Sequence, residues 1–151
     1  MAIIRAATEE DVPRILELYE ELVITTSEAE QNRNPSLDDS RRVYAQIRAM
    51  PGYELLVAEE EGEVVGSVVL LIVPNLSHRA SPWAVVENLI VTQQQHRQGI
   101  GRQLMKDAIA RARGAGCYEI QLSSNKTRDE AHRFYESLGF EASAHGFRLY
   151  F

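Results

Sequence analysis

The sequence predicts a mixed α/β fold of the α+β kind: a central, mostly antiparallel sheet of six or seven strands flanked by about four helices. Two observations predict it. Runs rich in Val, Ile and Leu follow one another across connections too short for a crossover, which makes neighbours antiparallel. Before and after those runs, apolar residues recur every three or four positions, the pattern of amphipathic helices laid on a sheet. At 151 residues the chain has the length of a single domain, 1–151.

Residues 2–7 read as the first strand. Val12, Ile15, Leu16, Tyr19, Leu22 and Val23 follow at helical spacing, with Thr8 and Asp11 as a capping box and Pro13 in the first turn. The polar stretch from Thr25 to Pro35 has almost nothing to bury and reads as a loop. Ser36 and Asp39 open a second helix, Val43, Tyr44, Ile47 and Met50 form its apolar stripe, and Pro51-Gly52 stops it. Leu55 to Ala58 and Val64 to Val73 form an antiparallel hairpin around a turn at Glu61-Gly62, and Pro74 ends it. After the polar segment Asn75 to Ser81, Trp83 to Val91 is a third antiparallel run.

The period then changes. Leu104, Met105, Ala108, Ile109 and Ala112 share one face of a third helix, terminated by Gly114 and Gly116. Cys117 sits within the next strand as a small buried hydrophobe, and Ile120 and Leu122 mark that strand further on. Thr127 and Glu130 read as the capping box of a fourth helix carrying Ala131, Phe134, Tyr135 and Leu138, with Gly139 as its C-cap. Phe140 to Phe151 reads as one or two closing strands.

Composition excludes several classes of function. Sixteen Lys+Arg against 22 Asp+Glu give a net charge of −6, which disfavours nucleic acid as a general partner because phosphate contacts dominate that affinity. The longest apolar run, Val68 to Val73, is six residues, against about 20 needed to span a bilayer; no membrane role is expected. The N-terminus lacks the basic and apolar regions of a secretory signal, so the expected location is cytoplasmic. One cysteine allows no intrachain disulfide. There is no Cys/His cluster, and no metal is expected.

The most informative stretch runs from Glu87 through Leu89-Ile90-Val91 to Gln93-Gln94-Gln95-His96-Arg97-Gln98-Gly99-Ile100-Gly101-Arg102 and into the third helix. Glycines at 99 and 101 let main chain approach a ligand closely, and the helix behind them offers unpaired N–H groups and a positive dipole end. That combination suits phosphate. His96, Arg97, Arg102 and Lys106 add local positive potential, which outweighs distant carboxylates when the Debye length is about 8 Å. A P-loop is excluded, since Gly101 is followed by Arg102-Gln103 where Lys-Ser/Thr is required. A dinucleotide fingerprint fails as well, with Leu104 at its third glycine and antiparallel connections upstream.

In this setting the sequence resembles the GNAT superfamily of N-acetyltransferases. Gly99 and Gly101 fall on the glycines of that family's acyl-CoA signature, Arg/Gln-x-x-Gly-x-Gly/Ala, between the fourth strand and the third helix. Asn125 and the run Ala131-His132-Arg133-Phe134-Tyr135 through Gly139-Phe140 match its C-terminal pattern. One departure is His96, where the family usually has Arg or Gln. The resemblance spans nearly the whole chain and implies an acyl-CoA-dependent acyltransferase, with acetyl-CoA as cosubstrate and a primary amine as acceptor. Leu122 to Asn125 and Asp129 to Tyr135 look most like aminoalkylphosphonate-type members.

Direct attack on a thioester needs a neutral amine, and deprotonating one with a pKa near 10.4 at pH 7 costs about 4.6 kcal/mol. The resemblance implies Glu87 as the base and Tyr135 as the general acid for the thiolate. Glu87 stands on a strand where Leu89 and Val91 alternate with it; its other reading is a structural carboxylate paired with Arg or Lys. Main-chain atoms of Leu89, Ile90 and Val91 are expected to meet the developing oxyanion and pantetheine. His96, Arg97, Gln98, Gly99, Ile100, Gly101 and Arg102 are expected at the diphosphate, and Asn125 on the coenzyme A arm, unless it is only a turn former. His78, His132 and His145 are candidates for acceptor contacts. Two alternatives remain: a non-catalytic acyl-CoA-binding sensor or interaction module, and a protein or N-terminal acetyltransferase. A homodimer through the terminal strands is a further expectation from the family.

Overall fold

The computed structural model describes residues 1–21, 34–96 and 98–151. Leu22, Val23, most of the expected loop and Arg97 lie outside them. The elements are β1 (Ile3–Ala6), α1 (Val12–Glu20), α2 (Leu37–Ala49), β2 (Tyr53–Glu60), β3 (Glu63–Val73), β4 (Trp83–Val91), α3 (Ile100–Gly114), β5 (Ile120–Gln121) and α4 (Asp129–Ser137). The strands form one sheet in the order β1-β2-β3-β4-β5, antiparallel except for the parallel pair β4 and β5.

Local signals act where the sequence placed them. The Asp11 carboxylate accepts from the Thr8 amide at 2.8 Å, although the turn it closes is a 3-10 turn, Glu9–Asp11, ahead of α1. Pro13 then occupies the first turn of α1, where no N–H is required. Ser36 accepts from the Asp39 amide at 3.1 Å and caps α2. Helices α3 and α4 end alike. Gly116 and Gly139 take left-handed φ values of 81° and 98°. Cys117 and Phe140 return their amides to Ala112 and Tyr135 at 3.1 Å each. This closes a Schellman motif at both ends.

Three expectations are corrected. The sheet has five strands among the described residues rather than six or seven, because residues 140–151 form none. Ala142-Ser143-Ala144-His145-Gly146 has few residues that favour a pleated strand, and beyond it Phe147, Leu149 and Phe151 are exposed. The strand after α3 begins only at Ile120, so Cys117 precedes it, half-buried against the main core. The polar run Ser123-Ser124-Asn125 cuts that strand short. Finally, Thr127 does not cap α4: its hydroxyl donates to Asn125 Oδ1 at 2.9 Å, and the helix starts one residue later from Arg128.

The sheet divides the core. On one face Leu56, Ala58, Val68, Leu70, Ala84 and Val86 pack against Ile100, Leu104, Met105 and Ala108 of α3. On the other, Val57, Val64 and Ile90 pack against Ile15 and Leu18 of α1. Gly66 of β3 brings α3 close: a Cβ there would stand 3.0 Å from the Ile90 carbonyl oxygen and 3.1 Å from Leu104 Cδ1.

Candidate active site

Strand β4 does not run straight through the sheet. Val69 pairs with Glu87 and Ser67 with Ile90, so Asn88 and Leu89 oppose the single residue Val68. This is a β-bulge, and Asn88 carries it with a left-handed φ of 53°. The extra residue changes which side chains share a face. Ala84 and Val86 face α3, and after the bulge so do Leu89 and Val91, while Ile90 turns to α1. The simple alternation expected for Glu87 with Leu89 and Val91 is thereby corrected. Glu87 lies in a cross-strand row with Val69 and Leu55 on the opposite face of the sheet. Sequence alternation fails because one inserted residue flips everything beyond it.

Strands β4 and β5 pair only at Ala84 with Ile120 and Val85 with Gln121. The ladder stops there because β5 ends at Gln121, and among the described residues no strand pairs with β4 on that side from Glu87 onward. Tyr135 of α4 packs against the same core as Leu89 and Val91 of β4. Its ring meets Phe134 and Phe140 edge-on, at centroid distances of 5.3 and 6.1 Å. Burial pushes the Tyr135 phenol above its ordinary pKa; the Arg128 charge opposes that rise, and the Glu87 charge adds to it. The phenol therefore keeps its proton throughout the neutral range. Glu87 is exposed and makes no ion pair among the described residues, so no Arg or Lys there competes for its carboxylate.

The glycine turn sits at the end of β4. The Thr92 amide donates to the Val65 carbonyl at 2.8 Å, a 3-10 turn covers Gln93–Gln95, and Gly99 at φ 80° opens α3. Gln103 makes the first intrahelical bond, to Gly99 at 3.0 Å. The N–H groups of Ile100, Gly101 and Arg102 are left without an intrahelical acceptor. A Cβ on Gly99 would touch nothing within 4 Å, so its left-handed backbone, not crowding, calls for glycine there. A Cβ on Gly101 would make ordinary contacts with Val91 at 3.6 Å and Phe134 at 3.7 Å.

The other expected residues divide by what they touch. Ile100 is 3% exposed and belongs to the core. His96 Nε2 lies 2.8 Å from the Val91 carbonyl oxygen and donates to it, tying the turn to β4. Gln98 donates its amide to Gln95 at 3.4 Å. The Arg102 guanidinium donates to Ser137 Oγ at 2.7 Å and lies 5.6 Å from the centre of the Phe134 ring, which fastens α3 to α4. Asn125 Oδ1 accepts from both the amide and the hydroxyl of Thr127, at 3.0 and 2.9 Å, the geometry of a turn former. His132 Nε2 lies 2.8 Å from the Asn125 carbonyl oxygen, and His78 stacks on Tyr118 at 3.8 Å. Neither imidazole reaches Glu87 or Tyr135 through these contacts. Among the described residues no cluster of His, Cys, Asp and Glu is arranged to hold a metal ion.

The sequence reading missed three residues on the Glu87 face. Tyr19, Tyr53 and Asn88 line a cavity of about 190 Å³ between α1, α2 and β2. Burial, followed by the Glu87 charge, raises the Tyr53 phenol, and burial drives Tyr19 up to about 12 against a hydrogen bond from Asn88. The available signal was Asn88 itself, a residue disfavoured in strands, set in an apolar run.

Residues 6–140 match the acetyltransferase (GNAT) family. The chain belongs to the GNAT acetyltransferase family. It is 37% identical over 93 residues to an aminoalkylphosphonate N-acetyltransferase of Salmonella typhimurium, an alignment covering 62% of this chain and 60% of that relative. It is 31% identical over 151 residues to an L-methionine sulfoximine/L-methionine sulfone acetyltransferase of Pseudomonas aeruginosa, covering 94% of this chain and 81% of the relative. Its structure superposes on a putative acetyltransferase from Agrobacterium tumefaciens with a TM-score of 0.88 and 35% identity, covering 98% and 99% of the two chains. Some curated relatives, including that from Salmonella, are thus matched over only about 60% of their length. A GNAT member needs a place for coenzyme A, and the residues here fit one. The left-handed Gly99 and the Cβ-free Gly101 open the first turn of α3, and Gly101 adjoins Val91 at the end of β4.

Proposed function

We propose that this GNAT member moves an acetyl group from acetyl-CoA to the primary amine of a small molecule by direct attack. One observation carries the reading: the bulged strand β4, which bears Glu87, runs into the left-handed Gly99 at the start of α3, and a Cβ on Gly101 would touch both Val91 of β4 and Phe134, the neighbour of Tyr135 on α4. The amides at the start of α3 hold the diphosphate, and Gly99 and Gly101 let it approach. When bound, acetyl-CoA supplies a thioester whose C–S bond breaks as the N–C bond forms. Glu87 accepts the proton from the amine, directly or through water. The main chain of Leu89 to Val91 meets negative charge on the acyl oxygen, and Tyr135 gives its proton to the departing sulfur.

The test is release of free thiol from acetyl-CoA against an amine panel, in the wild type and in Glu87→Gln. The variant is expected to lose the acid limb of the kcat/KM profile with acetyl-CoA affinity unchanged. An unaltered profile removes Glu87 as the base. Acetyl-CoA binding without thiol release from any amine would instead favour an acyl-CoA sensor, a role that needs neither Glu87 nor Tyr135.

A further inference from the structure

We infer that the cavity between α1, α2 and β2 takes the uncharged, apolar tail of the acceptor, so that the preferred substrates are amines bearing a ring-sized or branched hydrocarbon group rather than phosphorylated, phosphonylated or polycationic ones. This rests on the transferase reading above and names its substrate class.

The lining carries the inference. Ile15, Leu16, Val43, Ile47 and Leu55 supply carbon, and among the described residues no Lys, Arg, His, Asp or Glu lines the cavity. Two of its polar groups are already satisfied: the Tyr44 hydroxyl donates to the Ala7 carbonyl at 3.1 Å and the Ser40 hydroxyl to Ser36 at 2.8 Å. Among the described residues a phosphate or phosphonate placed inside would find no cation, and a second ammonium no carboxylate. Either would forfeit its hydration without a partner. An apolar group instead gains by leaving water. The volume matches, since an apolar cavity of about 150 Å³ holds a benzene ring and this one measures about 190 Å³.

Position joins the cavity to the chemistry. Leu55, on the cavity wall, pairs with Val69, which pairs with Glu87, all on one face of the sheet. At about 4.8 Å per strand, that places Glu87 roughly 10 Å from the wall, the reach of an amine on a short alkyl stem. Asn88, the bulged residue beside Glu87, itself lines the cavity. The charged end of the acceptor thus stays at the exposed carboxylate while its tail enters the carbon-lined space.

The experiment compares kcat/KM for 2-phenylethylamine and isopentylamine with that for 2-aminoethylphosphonate, phosphoethanolamine and spermidine, in wild type and Val43→Trp. Val43 is 40% exposed at the rim, so the indole fits from the solvent side; thermal unfolding checks the fold. The apolar amines should exceed the others by tenfold or more, and Val43→Trp should lower their kcat/KM by tenfold or more while acetyl-CoA affinity by calorimetry stays within twofold. Preference for the phosphonate, the phosphate or the polyamine overturns the inference. If no amine releases thiol, the transferase reading fails on its own. The cavity is then judged by calorimetric binding of 2-phenylethylamine, and equal binding to wild type and Val43→Trp overturns it.

Discussion

The two faces of the sheet at the bulge of β4 make an instructive pair. On the α3 and α4 side, Gly99 and Gly101 open α3 beside Val91, and Tyr135 packs on the same core. There the groups proposed for recognition are main-chain amides and one phenol. On the α1 and α2 side, Tyr19, Tyr53 and Asn88 line a carbon-walled cavity. There the groups are side chains gathered from four elements. On the proposed reading the coenzyme would meet backbone, which depends little on residue identity, and the acceptor would meet side chains that any substitution changes. Glu87 belongs to the second face, in a row with Val69 and Leu55.

Substitutions can break this division of labour, beginning with the largest effect. Tyr135→Phe is expected to lower turnover by tenfold or more, with acetyl-CoA affinity within a few-fold; equal turnover would remove Tyr135 as the acid. Next, Gly101→Asp sets a carboxylate beside the unpaired amides of α3 and is expected to weaken acetyl-CoA binding about tenfold, while the relative rates among acceptor amines stay as they were. Calorimetry and the amine panel read the two halves of that statement separately.

Gly66→Ala sharpens the comparison from below, because its Cβ presses on both the Ile90 carbonyl and Leu104. Overpacking of this kind costs about 1–3 kcal/mol, read as a lower denaturant midpoint. The smallest effect concerns Tyr19. Its folded-state pKa of about 12 lies above the ordinary 10, so its contribution to stability is fully present below pH 10 and is lost as pH rises from 10 through 12. Tyr19→Phe should remove part of that alkaline loss, on the order of 1–2 kcal/mol, seen by comparing urea midpoints at pH 8 and 11.

Much of the local structure was legible in advance. The capping of α2 by Ser36, the Schellman ends at Gly116 and Gly139, and the left-handed Gly99 each follow from a few adjacent residues. The closing strands expected after Phe140 did not form, and Thr127 joined the Asn125 turn instead of capping α4. In both places polar residues had competing local hydrogen bonds or weak strand preference. Ile100 and Arg102 lay within the motif, yet one side chain fills the core and the other fastens two helices. A motif fixes where main chain goes and leaves side chains to their neighbours.

The residues alone determined the order of elements, the helix ends and the glycine turn, because spacing, φ preference and capping act within about one turn of chain. Tertiary structure decided that Glu87 faces away from Leu89, that the pairing of β4 with β5 stops at Val85, and that Tyr19, Tyr53 and Asn88 line a common space. Those outcomes depend on strand register, where a single bulged residue reverses the face of every side chain that follows.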